Sequence, residues 1–258
     1  MRKVYLLGTQ VAAISIAELL AKIDSLLHKK QRAIITHLHV MGANLAFETP
    51  WFRQFLNDSY LTYCDGMGVQ LGARLLGDHL PARMTLADWI WDFAAQAEKR
   101  QYRLFFLGNP PGAAERAAEC LLQRHPLLRI VGTQHGFFDR QADSTENLAV
   151  VEKINAAQPD ILFVGLGMPA QEQWLLENWP RLSSFLAITC GGIFEYVAQD
   201  IPRGPRWMTQ HYLEWLARML LQPRRYFKRY LRDNPLFFSR ILRQRFFGLK
   251  PSKSPYNS

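Results

Sequence analysis

The residues best suited to chemistry are one carboxylate and a set of glycines that recur at equivalent places. Asp65-Gly66-Met67-Gly68 follows the β-rich run 60–64, and Gly108-Asn109-Pro110-Pro111-Gly112 follows 103–107. Gly165-Leu166-Gly167-Met168-Pro169 follows 160–164, and Cys190-Gly191-Gly192 follows 185–189. Glycine lets the backbone approach a ligand closely, and a helix starting after such a turn offers unpaired N–H groups and its positive dipole end to phosphate. One glycine after a strand is ordinary turn chemistry. Four such turns point to a nucleotide or another phosphorylated ligand. No turn completes G-x-G-x-x-G, and G-x-x-x-x-G-K-[ST] is absent, so the dinucleotide and P-loop fingerprints are both missing. By position alone, Asp65 is either a carboxylate on a ligand rim or the N-cap of the helix that follows.

These turns need strands and helices to hold them in line. Strand-like runs at 4–7, 33–37, 60–64, 103–107, 129–131, 160–164 and 185–189 alternate with helical periodicity at 16–28, 68–76, 86–99, 113–124, 145–157 and 170–176. Such alternation predicts an α/β, Rossmann-like, mostly parallel sheet with helices on both faces, whose ligands bind at the carboxyl ends of the strands. With 258 residues, 48% of them hydrophobic and 21% charged, the chain can build one large core or two small ones, which excludes disorder and coiled coil. Cys64, Cys120 and Cys190 share no metal-ligand spacing and suit no disulfide framework, which fits a reducing cytosol. No apolar run reaches spanning length and no signal-peptide cleavage pattern is present, so the chain is not expected to cross a membrane.

Charge divides the chain. Residues 202–258 hold thirteen Lys and Arg against Glu214 and Asp233, a net of +11, whereas 1–201 sum to −2. The expected organisation is therefore a catalytic domain over 1–201 and a basic, amphipathic helical appendage over 202–258. In the appendage, Trp207, His211, Trp215 and Met219 recur at four-residue spacing. After Pro223, Tyr226-Phe227, Tyr230-Leu231, Phe237-Phe238, Ile241-Leu242 and Phe246-Phe247 interleave with arginines and lysine. Bulky apolar groups backed by cations suit an anionic lipid surface. A helical hairpin packed on the domain with a solvated basic face would show the same pattern, and so would a nucleic-acid surface. The apolar bulk exceeds what phosphate contact needs, which favours a membrane surface and no nucleic acid.

Order and spacing of motifs carry a resemblance over nearly the whole chain. The residues are Thr36, Cys64-Asp65-Gly66-Met67-Gly68, Pro81-Ala82-Arg83 with Asp88, Gly132-Thr133-Gln134-His135-Gly136-Phe137-Phe138, Pro159 through Glu172, Gly191-Gly192-Ile193-Phe194-Glu195, Arg203-Gly204-Pro205-Arg206-Trp207, Leu213 through Arg218, and Pro223-Arg224-Arg225. In these the chain resembles the WecG/TagA/CpsF glycosyltransferases, which transfer a sugar from a UDP-sugar to a polyprenyl-diphosphate-linked acceptor in bacterial surface polysaccharide synthesis. The family usually places Asn two or three residues after the first-motif Thr; here Thr36-His37-Leu38-His39 stands instead, and the role passes to His39.

The resemblance implies an inverting transfer in which Asp65 is the catalytic base, since a base must take the acceptor proton as UDP departs. It implies donor or acceptor contacts from Thr36, His39, Gly165, Gly167, Gln171, Glu172 and Gly192, with Glu195 accepting from uracil or ribose and Phe137 touching the base. Glu172 is alternatively a cap of the helix after Pro169. The chain has no D-x-D, so no metal and no other cofactor is expected. The leaving diphosphate would be met by Arg83, Arg203, Arg218, Arg224 and Arg225 with backbone N–H groups. For the tail arginines, lipid electrostatics is an equal alternative. The expected partners are a UDP-sugar, the lipid-linked acceptor and an anionic membrane on its cytoplasmic face, with homo-oligomerisation left open. N-acetylmannosamine, its uronic acid and glucose all remain open as the sugar. The competing readings are a nucleotide-dependent oxidoreductase or methyltransferase on a similar sheet, and a nucleic-acid-binding module.

Overall fold

The computed structural model describes residues 1–81, 84–199 and 229–248. Among these residues eight strands form one sheet in the order β1-β2-β4-β3-β8-β7-β5-β6, in which β1 (Lys3–Leu6) alone of the eight runs antiparallel, to β2 (Thr9–Ala12). Leu7 and Gly8 join these two with positive φ at both positions (50° and 85°), the backbone of a tight hairpin turn that matches strand twist. The parallel strands are β3 (Ala33–Leu38), β4 (Leu61–Cys64), β5 (Arg103–Gly108), β6 (Arg129–Gln134), β7 (Ile161–Gly165) and β8 (Leu186–Thr189). The expected mostly parallel α/β sheet is present.

The buried strands supply alternate residues to two cores. Leu104, Phe106, Ile161, Phe163 and Ile188 face a layer built from α1 (Ile16–His28), α5 (Leu86–Arg100), α6 (Ala113–Arg124) and α9 (Ile193–Val197). Phe105, Leu107, Leu162, Val164 and Ala187 face α2 (Val40–Glu48), α3 (Pro50–Asp58), α4 (Met67–Leu75), α7 (Thr145–Ala157), α8 (Ala170–Asn178) and α10 (Asn234–Phe247). In the first core an aromatic chain runs edge-to-face from Tyr63 through Trp89, Phe93 and Phe163 to Phe106, which stacks on Phe194 at 4.9 Å.

The described part of the basic tail is built into the second layer. Phe237 and Ile241 are fully buried against α2 and α4. Asn44 of α2 donates to the carbonyl of Asp233 (2.8 Å), and Arg240 pairs with Glu48 and donates to the Asn44 carbonyl (3.2 Å). Gln244 bridges to β1, accepting from the Leu7 N–H at 2.8 Å and donating to the Tyr5 carbonyl at 3.1 Å. Leu242, Phe246 and Phe247 on the same helix stay exposed. No described helix is long and apolar enough to cross a membrane.

Candidate active site

Asp65 stands where β4 ends. Its N–H donates to the Leu38 carbonyl at 2.9 Å, so the β3–β4 pairing persists one residue past the strand and fixes the backbone beneath the carboxylate. The chain then turns at Gly66, whose φ of +89° suits only glycine, and Gly66 itself is the N-cap of α4, with no side-chain cap. Asp65 is therefore not the cap. Its side chain is 25% exposed, and its Oδ2 lies 4.0 Å from Nε2 of His37. That imidazole, 8% exposed, is held from its other side, with Nδ1 3.1 Å from both the main-chain oxygen and Oγ1 of Thr189 at the end of β8. Burial holds the Cys64 and Cys190 thiols and the Tyr63 phenol protonated, and the neighbouring Asp65 charge adds to this for Cys64 and Tyr63.

A second part of the rim is tied together by Asn109. From β5 the chain moves outward to β6, and from β7 it moves the opposite way to β8, so a crevice is expected between the carboxyl ends of β5 and β7. Asn109, at φ +61°, fills its floor: Nδ2 donates to the carbonyls of Gly165 and Gly191, both at 2.8 Å, and Oδ1 lies 3.4 Å from the Glu195 N–H. A Cβ on Gly165 would stand 2.5 Å from that Nδ2 and 2.6 Å from the Gly191 oxygen, so glycine is required for the knot to close. The Gly136 N–H donates to the Asn109 carbonyl at 2.9 Å, which brings the loop after β6 to the same place and leaves Phe137 69% exposed there. Gly167 takes φ +77° in the turn after β7.

The other expected contacts divide. Gly192 caps α9, and Glu195 lies half-buried in its first turn, on the rim. Thr36 is fully buried on β3. Since the Thr62 hydroxyl donates to the Leu56 carbonyl (2.8 Å), Thr36 donates to Thr62 at 2.6 Å, a chain that leads away from the rim. The His39 Nδ1 accepts from the Gly42 N–H at 3.0 Å and caps α2. Gln171 and Glu172 are fully buried on α8: Gln171 accepts from the Gly191 N–H (3.0 Å) and donates to Glu172 Oε1 (2.8 Å). Glu172 Oε2 has no hydrogen-bond partner among the described residues, and burial raises the pKa of the carboxyl to about 8. The N-cap of α8 is Pro169, which puts Glu172 at the third helical position, but proline has no N–H for the carboxylate to accept from, so Glu172 does not cap the helix. Arg83, Arg203, Arg218, Arg224 and Arg225 lie outside the described residues. Sequence reading did not single out His37, Asn109 or Thr189. A histidine inside a predicted strand and an asparagine inside a glycine turn are common without function; only the spatial pairing distinguishes them.

A mostly parallel sheet whose strand ends gather a carboxylate, glycine turns and helix N-termini defines the α/β class of proteins in which ligands bind at the carboxyl rim. The chain belongs to the glycosyl transferase WecG/TagA/CpsF family, which matches residues 4–251, and it is a glycosyltransferase. It is 26% identical over 206 residues to the N-acetylglucosaminyldiphosphoundecaprenol N-acetyl-beta-D-mannosaminyltransferase of Bacillus spizizenii, covering 80% of this chain and 77% of that protein. The Bacillus subtilis protein of that name is 26% identical, covering 77% of this chain and 75% of its own length. One from Staphylococcus aureus is 27% identical, covering 74% and 72%.

Proposed function

We propose that the protein transfers a sugar of the N-acetylmannosamine class from a UDP-sugar to a polyprenyl-diphosphate-linked saccharide in bacterial surface polysaccharide synthesis, with inversion at the sugar carbon. The observation that carries this is Asp65 at the carboxyl end of β4, on the same sheet edge as the Asn109-tied glycine turns, in a chain whose relatives are named for mannosaminyl transfer to a lipid-linked N-acetylglucosamine. Asp65 takes the acceptor proton as the acceptor oxygen attacks. The donor lies over the β5, β7 and β8 turns, with Phe137 on the uracil, Glu195 on ribose or base, and the N–H groups at Gly165, Gly167 and Gly192 toward the diphosphate. Gln171, Glu172 and Thr36 hold these turns and strands in register. His39 serves at the head of α2.

Arg83, Arg203, Arg218, Arg224 and Arg225 neutralise the leaving UDP in place of a metal. The basic tail also brings the enzyme to an anionic membrane surface, where the lipid acceptor resides, and that attraction weakens with salt. The test is a panel of UDP-N-acetylmannosamine, its uronic acid and UDP-glucose against a short-chain prenyl-diphosphate-N-acetylglucosamine. Turnover with the first alone supports the reading, and no transfer from any of them overturns it.

A further inference from the structure

His37 stands behind Asp65, and its Nδ1 lies 3.1 Å from both the carbonyl oxygen and the hydroxyl of Thr189. We assign the hydrogen to Nδ1, because the carbonyl oxygen only accepts and a bare Nδ1 would set two lone pairs against each other, whereas the hydroxyl can accept or turn its own hydrogen elsewhere. In a neutral ring Nε2 then bears a lone pair, and Nε2 is the atom that faces Asp65 Oδ2 at 4.0 Å. A lone pair directed at a carboxylate oxygen in a largely buried place is repulsive, and one proton placed between the two makes it attractive. Among the described residues, the titratable groups nearest the ring are His39, with its ring centre 5.8 Å away, and Tyr63 at 6.0 Å, with Cys64 next to Tyr63 and Cys190 next to Thr189 in the chain. Burial keeps the phenol and both thiols protonated, so they do not compete for that proton.

We propose that His37 is a positioning residue for the transfer: anchored to Thr189 through Nδ1, it orients the Asp65 carboxylate and receives the proton that Asp65 removes from the acceptor. This rests on the reading of Asp65 as the base. In the step, the acceptor O–H bond breaks and its proton goes to Asp65, while the acceptor oxygen bonds to C1 of the sugar. The bond from C1 to the diphosphate oxygen breaks, and its electron pair leaves with UDP. The proton then passes from Asp65 to Nε2, leaving a carboxylate beside an imidazolium. A separation of 4.0 Å is longer than a direct hydrogen bond, so the transfer needs a small carboxylate rotation or one bridging water.

The test compares the full-length wild type with His37→Asn, which keeps a donor near the Nδ1 position and nothing at Nε2, and with His37→Gln, which restores an amide near Nε2. With UDP-sugar and the short-chain acceptor, His37→Asn lowers kcat by about tenfold or more, the scale of an impaired proton transfer. It leaves KM for the donor within about threefold and moves the acidic limb of the kcat–pH profile; His37→Gln, whose amide can orient the carboxylate but takes no proton, recovers part of the rate and leaves the limb displaced. Wild-type kcat with an unmoved limb in a folded His37→Asn protein overturns the proposal. If that variant does not fold, ¹⁵N NMR of the histidines in wild type and Asp65→Asn decides. The His37 midpoint falls by about one unit or more when the carboxylate is lost, and an unchanged midpoint overturns the proposal. Asp65→Asn with full turnover removes Asp65 as the base. Asp65→Asn inactive beside a normal His37→Asn removes only the role of His37.

Discussion

The seating of α10 on the body can be tested through two residues that touch, Gly72 of α4 and Phe237 of α10. Phe237 is fully buried, and a Cβ added at Gly72 would stand 2.7 Å from its Cζ, 2.8 Å from its Cε1 and 3.3 Å from Leu6 Cδ2. Gly72→Ala gains about 1 kcal/mol of helix propensity but overpacks the contact, which costs about 1–3 kcal/mol. Phe237→Ala empties a ring-sized space at about 3–5 kcal/mol. In the double variant the new methyl enters the space the ring left, so Gly72→Ala changes from costly to neutral or favourable. The expected coupling is about 2 kcal/mol, well above the roughly 0.5 kcal/mol within which independent sites add. Urea unfolding of the four full-length proteins measures it. Phe247→Ala serves as the control, since its side chain is 83% exposed and its loss should change stability by less than about 0.5 kcal/mol. Additive effects at 72 and 237 would show that the helix does not dock there in solution, and the account of the tail as part of the second layer would fail.

Asp65→Asn should reduce transfer by about 100-fold to 10,000-fold while UDP binding, measured by calorimetry, stays near wild type, because the amide keeps the shape and loses the basicity. Turnover should survive EDTA, the expectation set by the absent D-x-D; loss on chelation with rescue by Mg²⁺ or Mn²⁺ would refute the arginine account of the leaving group. Asn109→Ala should lower stability by about 1–3 kcal/mol, chiefly because the Gly191 carbonyl loses its donor while the Gly165 carbonyl keeps the Asn109 N–H, and should weaken UDP binding. Asn109→Gly, which keeps the positive φ, should still lose the bonds to Gly165 and Gly191 and remain destabilised. Glu172 binds its proton more tightly folded (about 8) than unfolded (4.5), so between these values the native state holds the extra proton and stability falls as pH rises. Glu172→Gln should therefore gain stability relative to wild type between pH 5 and pH 8 in denaturant titrations, and a constant difference would refute the buried neutral acid.

Strands 33–37, 103–107 and 160–164 were legible because both of their faces are buried, which leaves near-continuous apolar runs. The edge strand β6 extends to Gln134, three residues past the expected end. Its Gly132 lies under the Phe105 ring, where a Cβ would stand 2.5 Å from Cε2, and its outer residues are polar, so neither signals a strand. The stretch 40–58 was not read as helical. α2 is covered by the sheet on one side and α10 on the other, which leaves it no polar face, whereas α3, restarted by Pro50, does carry a stripe at Phe52, Phe55 and Leu56 that the reading passed over. At the site, Asp65 and the glycine turns were readable because their position after strands is itself a sequence property. Thr36 was read as a contact but points along a buried hydroxyl chain. His37, Thr189 and Asn109 came together only when β3 was set beside β8 and β5 beside β7, pairings that cross more than 50 residues of chain.

The tail was the one segment whose composition allowed several uses at once, and packing separates them by residue. Phe237 and Phe246 are half a turn apart around the helix, so α10 is apolar on opposite sides: Phe237 and Ile241 enter the core, and Leu242, Phe246 and Phe247 stay outside. Among the described residues, four polar side chains join α10 to the body: Asn44 holds its start, Arg240 reaches Asn44 and Glu48 of α2, Gln244 reaches β1, and Arg245 donates to the Leu75 carbonyl of α4. The chain thus leaves the first layer after α9, whose start is the Gly191-Gly192 turn of the rim. It returns to the second layer at Asp233, beside a helix that begins at the rim with His39. On the proposed reading, in which Arg203, Arg218, Arg224 and Arg225 meet the departing diphosphate, joining the far end of the segment to α2 and β1 lowers the entropy lost when those cations gather at the site.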